Sequence, residues 1–446
     1  KASMLPEGRD KNVLIAEIAS LIESKLPTNI LRQLKAYTRN AMLLNPKTML
    51  RNVIGNAIMM PAYAVQDFIG AGADRLLSKI TGVRTKGALP SGGVGKAALK
   101  GVYESYDDFR RKINTRQSNG DRFEIGEGDS FRRYRREQLK AASPARRAAM
   151  RLSNALNMVD RVTGFLLDVG DRPFFEYHFT SSLNNQLKLN HATEPTAEMI
   201  ELATTEALQR TWQDDNALTR AVTSLRNSLN FGKEWGLGSI IVPFTKTPAN
   251  LTKALIEYSP LGLVNTVANA ARLYTRSRKS KSFDPKTQKA FVDSLSKAIT
   301  GTLVMALGGV LADMGVLSGG DDDKDRDLAA FEKNILGMAP YSVTVNGRSY
   351  AYDWAQPIGG LFAISADYVR NVKNGNDPMV SGLDALGAGG NAILNALTTG
   401  GNVLFEQSFL QGVSQLFAEE GLTAGLIESA SGAASSPCEK VCCFIF

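Results

Sequence analysis

The sequence predicts a mainly α-helical chain, an elongated helical bundle with one small β-hairpin near residues 341–352. Three observations lead there. Apolar residues recur at helical spacing along most of the length, Asn, Asp and Pro stand where helices should begin, and a single segment alternates as paired strands do. The 446 residues are 43% apolar and 22% charged, the composition of a chain that folds around a sizeable core.

Taken in order, Val13, Leu14, Ile18, Leu21 and Ile22 fall on one helical stripe before Pro27. Asn45-Pro46 reads as a cap followed by proline in the first turn, opening a helix through Leu50, Ile54 and Ile58. Residues 81–97 are rich in Gly and Pro and read as a loop. An apolar helix with Leu152, Leu156, Val159 and Leu166 on one stripe is expected to run to Asp171-Arg-Pro173. Residues 196–230 read as an amphipathic helix. Asp284-Pro285 opens another that can continue into 298–317, about 50 Å at 1.5 Å per residue. Around Asn346-Gly347, the pair favoured in two-residue hairpin turns, residues 341–345 and 348–352 alternate as strands.

The charge is uneven. The net +8 conceals +16 over residues 1–320 and −8 over 321–446. We therefore divide the chain into an N-terminal helical segment with its Gly-rich loop (1–100), a basic helical region ending in an apolar helix (101–320), an acidic region with the hairpin and Gly/Ala-rich helices (321–432), and a tail (433–446). The sequence starts at Lys1 without a charged-then-apolar leader, so a piece of a longer protein is expected. Cys438, Cys442 and Cys443 are the only cysteines, which argues against a disulfide framework. Cys443-Phe-Ile-Phe446 has the outline of a prenylation box, but the abrupt change after Ser436 reads better as an artificial or truncated end.

Candidate chemistry is sparse. Ser91-Gly-Gly-Val-Gly-Lys96 suggests a phosphate loop, yet Pro90 and Ala97 stand where glycine and Ser/Thr are needed. Asp321, Asp323, Asp325, Asp327 and Glu332 match calcium-loop positions, but Arg326 occupies the turn where glycine belongs; an acidic loop before a helix fits better. Asp160, Arg161, Asp168, Asp171, Arg172, Glu176 and His178 interrupt an apolar stretch, and Asp168 and Arg172 have the spacing of a helical ion pair. With only His178 and His191 in the chain, a histidine metal site is not expected. Ser294-Leu-Ser-Lys297 has a Ser-x-x-Lys spacing too common to mean acyl transfer. No cofactor or metal is expected.

The strongest functional candidate is the basic segment 110–151, with 13 Lys/Arg against 5 Asp/Glu. Arg132, Arg133, Arg135 and Arg136 surround Tyr134 near Phe131, with Arg146 and Arg147 following. Such a cluster suits the phosphates of nucleic acid or of an anionic membrane; a solvated helix face meeting the acidic half is the alternative. The second candidate is residues 298–320, interrupted only by Asp313 and near the length of a span. Gly301, Gly308 and Gly315 recur every seven residues there, as close helix packing allows. Asp313 would cost about 2.5–3.5 kcal/mol near mid-bilayer. A buried bundle helix is therefore the first reading and membrane insertion the second.

Four segments carry a resemblance: Leu44-Asn-Pro-Lys-Thr-Met-Leu-Arg-Asn-Val-Ile-Gly-Asn56, Gly170-Asp-Arg-Pro-Phe-Phe175, Val242-Pro-Phe-Thr-Lys-Thr-Pro-Ala-Asn250 with Tyr258-Ser-Pro260, and Ala339-Pro-Tyr-Ser-Val-Thr-Val-Asn-Gly-Arg-Ser-Tyr350. In this order the region 40–400 resembles the helical region of the large polyvalent proteins of phages and prophages. The resemblance implies a fragment of a virion-associated or prophage-encoded polypeptide, with enzymatic modules elsewhere and no catalytic motif to carry over. It implies delivery alongside DNA or contact with the cell envelope, in the virion, the host cytoplasm or at the membrane. Adjacent domains of the longer polypeptide, and self-association, are the partners of the alternative role as a structural spacer or assembly platform.

Overall fold

The computed structural model describes residues 46–87, 92–115, 136–231, 245–280, 283–320, 340–352 and 355–373, with single positions at 33, 40, 131, 134 and 238 and a short strand at 235–236. The stripe at 13–22, the acidic 321–332 loop, the Gly/Ala-rich tail and the cysteines lie outside these residues. Among the described residues there are ten helices and two small antiparallel strand pairs.

Helix α1 (Pro46–Thr81) starts at the expected proline but runs far beyond Ile58, through Pro61. It stops where Gly82 adopts φ +71°, with its N–H on the Ser78 carbonyl. The following loop ends at Gly93, because α2 (Val94–Thr115) begins inside the expected loop. Helix α3 (Arg136–Ala141) precedes α4 (Pro144–Leu189), 46 residues that pass through Pro173 without ending. The amphipathic stretch 196–230 is two helices, α5 (Ala197–Arg210) and α6 (Ala217–Ser228). The break comes at Trp212, with φ +59°, and at Asn216, whose side chain caps Leu218 and Thr219 while Thr219 returns the bond. Strands β1 (Asn230–Phe231) and β2 (Trp235–Gly236) pair, then α7 (Lys246–Glu257) and α8 (Gly262–Ser280) follow.

Helix α9 (Pro285–Asp313) is the expected long helix, with Asp284 accepting from Lys286 N–H at its start. Its 29 residues span about 44 Å. Strands β3 (Ser342–Val345) and β4 (Arg348–Ala351) form the expected hairpin, with Asn346 and Gly347 both at positive φ. Helix α10 (Ile358–Lys373) then returns across α9.

The main apolar cluster joins Met59, Ala62 and Tyr63 of α1 to Trp212, to Leu251, Leu255 and Tyr258 at α7, and to Leu361 of α10, with Val304 and Met305 of α9 against it. It thus draws on residues from both sides of positions 100 and 320. A second cluster sets Leu317, Tyr341 and Tyr352 against Ala363 and Phe362.

The stripe Leu152, Leu156, Val159 and Leu166 is not the buried face of α4: Leu152 is 61% exposed and Leu166 41%, with Leu156 and Val159 half-buried. Buried instead are Asn157, Thr163, Arg172, His178, Ser182 and Gln186. These polar groups have partners, which is what makes their burial tolerable. Asn157 donates to the Phe131 carbonyl at 2.8 Å, and Arg172 reaches Asp108 of α2 and Asp168 of its own helix, each at 3.0 Å. The buried face of α4 is thus largely polar, with Met150 and Phe175 among its apolar members.

Candidate functional site

The polar part of the interior culminates in a closed ring of six charges. Lys86 sits 3.3 Å from Asp67 and 2.5 Å from Asp293; Lys289 sits 3.1 Å from Asp293 and 2.9 Å from Glu206; Arg210 sits 2.8 Å from Glu206 and closes the circle on Asp67. Three cations alternate with three anions, and the net charge is zero. The members come from α1, α5, α9 and the strap 83–87, so the ring fastens four segments together.

The strap is held by Asp74, fully buried on α1. Its carboxylate accepts from Arg84 Nε at 2.9 Å, Thr85 Oγ1 at 2.6 Å, the N–H groups of Thr85 and Lys86, and Gln288 Nε2 at 3.1 Å. Burial alone would raise its pKa; the bonds from Thr85 and Arg84 outweigh burial and hold it below the ordinary value. Gly70 leaves room for the Lys86 stem to cross, since a Cβ there would come within 2.9 Å of it. Thus Lys86, 4% exposed, reaches the ring.

At Glu206, Arg210, Lys289 and Asp293, burial opposes the charge and the opposite charges overcome it. Lys289 and Arg210 keep Glu206 well below the carboxylate range, and Lys289 and Lys86 do the same for Asp293. Asp293 and Glu206 raise Lys289, and Asp67 raises Arg210. His178 borders Arg210 at 3.5 Å and is pushed well below its usual pKa by burial and then by Arg210, so it is neutral at pH 7. The Arg210 guanidinium also lies 4.9 Å from the centre of the Tyr63 ring. These groups hold fixed protonation states near neutrality, whereas a general acid or base needs a pKa near the working pH. The adjoining cavity, lined by Tyr63, Gln66, Lys253, Glu257, Tyr258 and Lys297 among others, offers about 30 Å³, room for about two waters. What this arrangement does chemically is lock helices together. Among the described residues, no group of three or more His, Cys, Asp or Glu is placed to hold a metal ion.

The arginines and glycines singled out from sequence fall elsewhere. Arg132, Arg133 and Arg135 lie outside the described residues. Arg136 and Arg146 are exposed, at the starts of α3 and α4. Arg147 turns back to donate to the carbonyls of Leu139 at 2.8 Å, Lys140 at 3.2 Å and Ala142 at 3.0 Å, closing off the end of α3. Phe131 is buried rather than displayed beside the arginines. Gly301 faces the carbonyl of Tyr258, where a Cβ would overlap it at 1.6 Å, and Gly308 faces Phe362 and Ser365 of α10. Gly315 packs against nothing. At φ +72° it terminates α9, its N–H on Ala312 and the next N–H, of Val316, on Leu311.

The outer surface completes the picture. Along α1 the exposed positions among the described side chains from Leu50 to Gly72 are Leu50, Val53, Ala57, Pro61, Ala64, Val65, Phe68 and Gly72, none of them charged, over about 33 Å. Leu76 and Ile80 extend it, 67% and 76% exposed. On α9, Ile299, Leu303, Leu307, Val310 and Met314 form an open stripe, rising from 36% exposed at Ile299 to 69% at Met314. The two helices run antiparallel: Asp74 bonds Gln288 at one end, and Met59 shares its cluster with Val304 and Met305 at the other. The buried positions of α9 concentrate between Gln288 and Gly301, whereas the apolar window as a whole is only 28% buried. It is the one described helix long and apolar enough to cross a membrane.

Sequence reasoning missed the ring. Two signals were present: the four-residue spacings of Glu206 with Arg210 and of Lys289 with Asp293, and the isolation of Asp67 in an otherwise uncharged run. Compared with known proteins, the chain matches no family model, no curated protein and no solved structure.

Proposed function

We propose that this chain is a non-catalytic helical module of a large phage or prophage polypeptide, and that it works by adhesion, seating the open faces of α1 and α9 against an anionic membrane during delivery. The observation that carries this reading is the open apolar surface on two antiparallel helices, interrupted on α9 only near its end by Asp313 and backed by a ring whose six charges are matched. Apolar surface of this extent marks an interaction site. Arg136, Arg146 and the neighbouring arginines would add attraction, about 1 kcal/mol for each base near an anionic surface.

Flotation with vesicles of phosphatidylglycerol and phosphatidylcholine, against phosphatidylcholine alone, tests the proposal. The chain should float with the anionic vesicles and less so as salt rises. The double variant Leu303→Asn/Leu307→Asn should lose most of the binding, and Arg136→Gln/Arg146→Gln should weaken it several-fold. Equal flotation of the Leu303/Leu307 variant and the parent, or none with either vesicle, overturns it.

The same apolar faces favour a second reading, a spacer or assembly platform on which copies or adjacent domains meet. Light scattering across ionic strength distinguishes the two; a monomer at every salt concentration counts against assembly. Salt-sensitive retention of duplex DNA, lost with Arg136 and Arg146, would move the partner from lipid to nucleic acid.

A further inference from the structure

Away from the ring, one carboxyl is treated differently. Asp171, midway along α4, accepts from Asn52 Nδ2 at 2.6 Å and Asn56 Nδ2 at 3.3 Å, both on α1, and from Gln213 Nε2 at 3.2 Å in the link 211–216. All three partners are neutral amides, and among the described residues no cation is paired with it. The other charges nearby are already engaged. Arg172 is directed to Asp168 and to Asp108 of α2, and Asp214 to Lys253. Asp168, on the same helix, adds a negative field. Two amide oxygens at the same place, Asn56 Oδ1 and Gln213 Oε1, are buried without a donor. A buried carboxylate without a counter-charge and beside unsatisfied acceptors lacks one thing, a proton.

We propose that Asp171, Asn52, Asn56 and Gln213 form a proton-controlled latch joining α4 to α1 and to the 211–216 link, closed when the carboxyl is protonated and loosened when it ionises. The proton comes from water onto a carboxyl oxygen. Turning the Asn56 or Gln213 amide about its own axis then lets the O–H donate to an oxygen that now has no partner. Burial and Asp168 outweigh the lowering effect of the three amides and put the pKa at about 7, against 3.8 for an ordinary Asp.

The sign follows from linkage. Between these two values the folded chain holds a proton that the unfolded chain has released, so stability falls as pH rises from about 4 to 7 and levels off above 7. From this group alone the unfolding constant rises about tenfold per pH unit at first and more slowly as the folded carboxyl begins to ionise, about 50-fold in all from pH 5 to 7.

The test is urea unfolding of the whole chain from pH 5 to 8, with Asp171→Asn beside it. The parent should show the rise and a bend near pH 7. Asp171→Asn, which keeps the shape and cannot ionise, should lose that component while Asp168 and Asp367 still contribute theirs. Identical pH profiles overturn the latch. Should Asp171→Asn fail to fold, hydrogen exchange of the parent decides. Amides of residues 50–56 and 211–216 should open more readily at pH 8 than at pH 6 once the intrinsic rate is removed. Unchanged opening overturns the proposal.

Discussion

Replacing Lys289 with Met removes one cation from the six-membered ring and tests whether that ring is closed. The ammonium lies 2.9 Å from Glu206 and 3.1 Å from Asp293, on a side chain only 9% exposed. After the change Glu206 retains Arg210 and Asp293 retains Lys86, but three anions face two cations, and one negative charge is left without compensation. Breaking a buried pair by removing one partner costs about 3–5 kcal/mol. Met preserves most of the stem, so little of that cost is lost packing. Urea unfolding followed by helical circular dichroism should show a lower midpoint with an unchanged slope. Glu206→Gln in the same chain restores neutrality, so the pair of changes should cost less than the sum of the singles. High salt should alter little, because buried pairs are weakly screened. A cost below about 1 kcal/mol, the value of a surface pair, would mean that water enters the ring and that it does not hold the four segments.

Two further substitutions separate glycines of the same seven-residue series. Gly301→Ala drives a methyl into the Tyr258 carbonyl and should cost about 3 kcal/mol, the upper end of overpacking. Gly315→Ala meets open space but strains a left-handed backbone, for about 1–2 kcal/mol; thermal unfolding in the reverse order would contradict this assignment. Asn216→Ala removes the capping box of α6 and should cost about 1 kcal/mol. Its hydrogen exchange should quicken first at residues 217–219, and an unchanged midpoint would show that the break at 211–216 is set by tertiary packing alone.

Legibility in the sequence followed the range of the force involved. Asp284-Pro285 and Asn346-Gly347 act through their own backbone, so a local reading located the start of α9 and the turn between β3 and β4. The Asp168–Arg172 pair is equally local. Helix ends were less legible: nothing near Ile58 foretells that α1 continues through Pro61, because its continuation is stabilised by partners on α4 and α9. Periodicity pointed the wrong way on α4, since apolar spacing normally marks the buried face, whereas here hydrogen-bonded Asn157, Arg172 and Gln186 are inside. The ring was out of reach for the same reason. Asp67, Lys86, Glu206 and Asp293 look like ordinary solvated charges until the chain folds them together.

That closure has a consequence for synthesis. Asp67 leaves the ribosome 226 residues ahead of Asp293, and at roughly 5–20 residues per second it waits roughly 11–45 s for the last member to arrive. During that interval the first helices have water on their ionic side and no companion on their greasy one. A nascent polypeptide arrested before position 293 should therefore be a good client for a chaperone, and should be let go soon after that aspartate emerges.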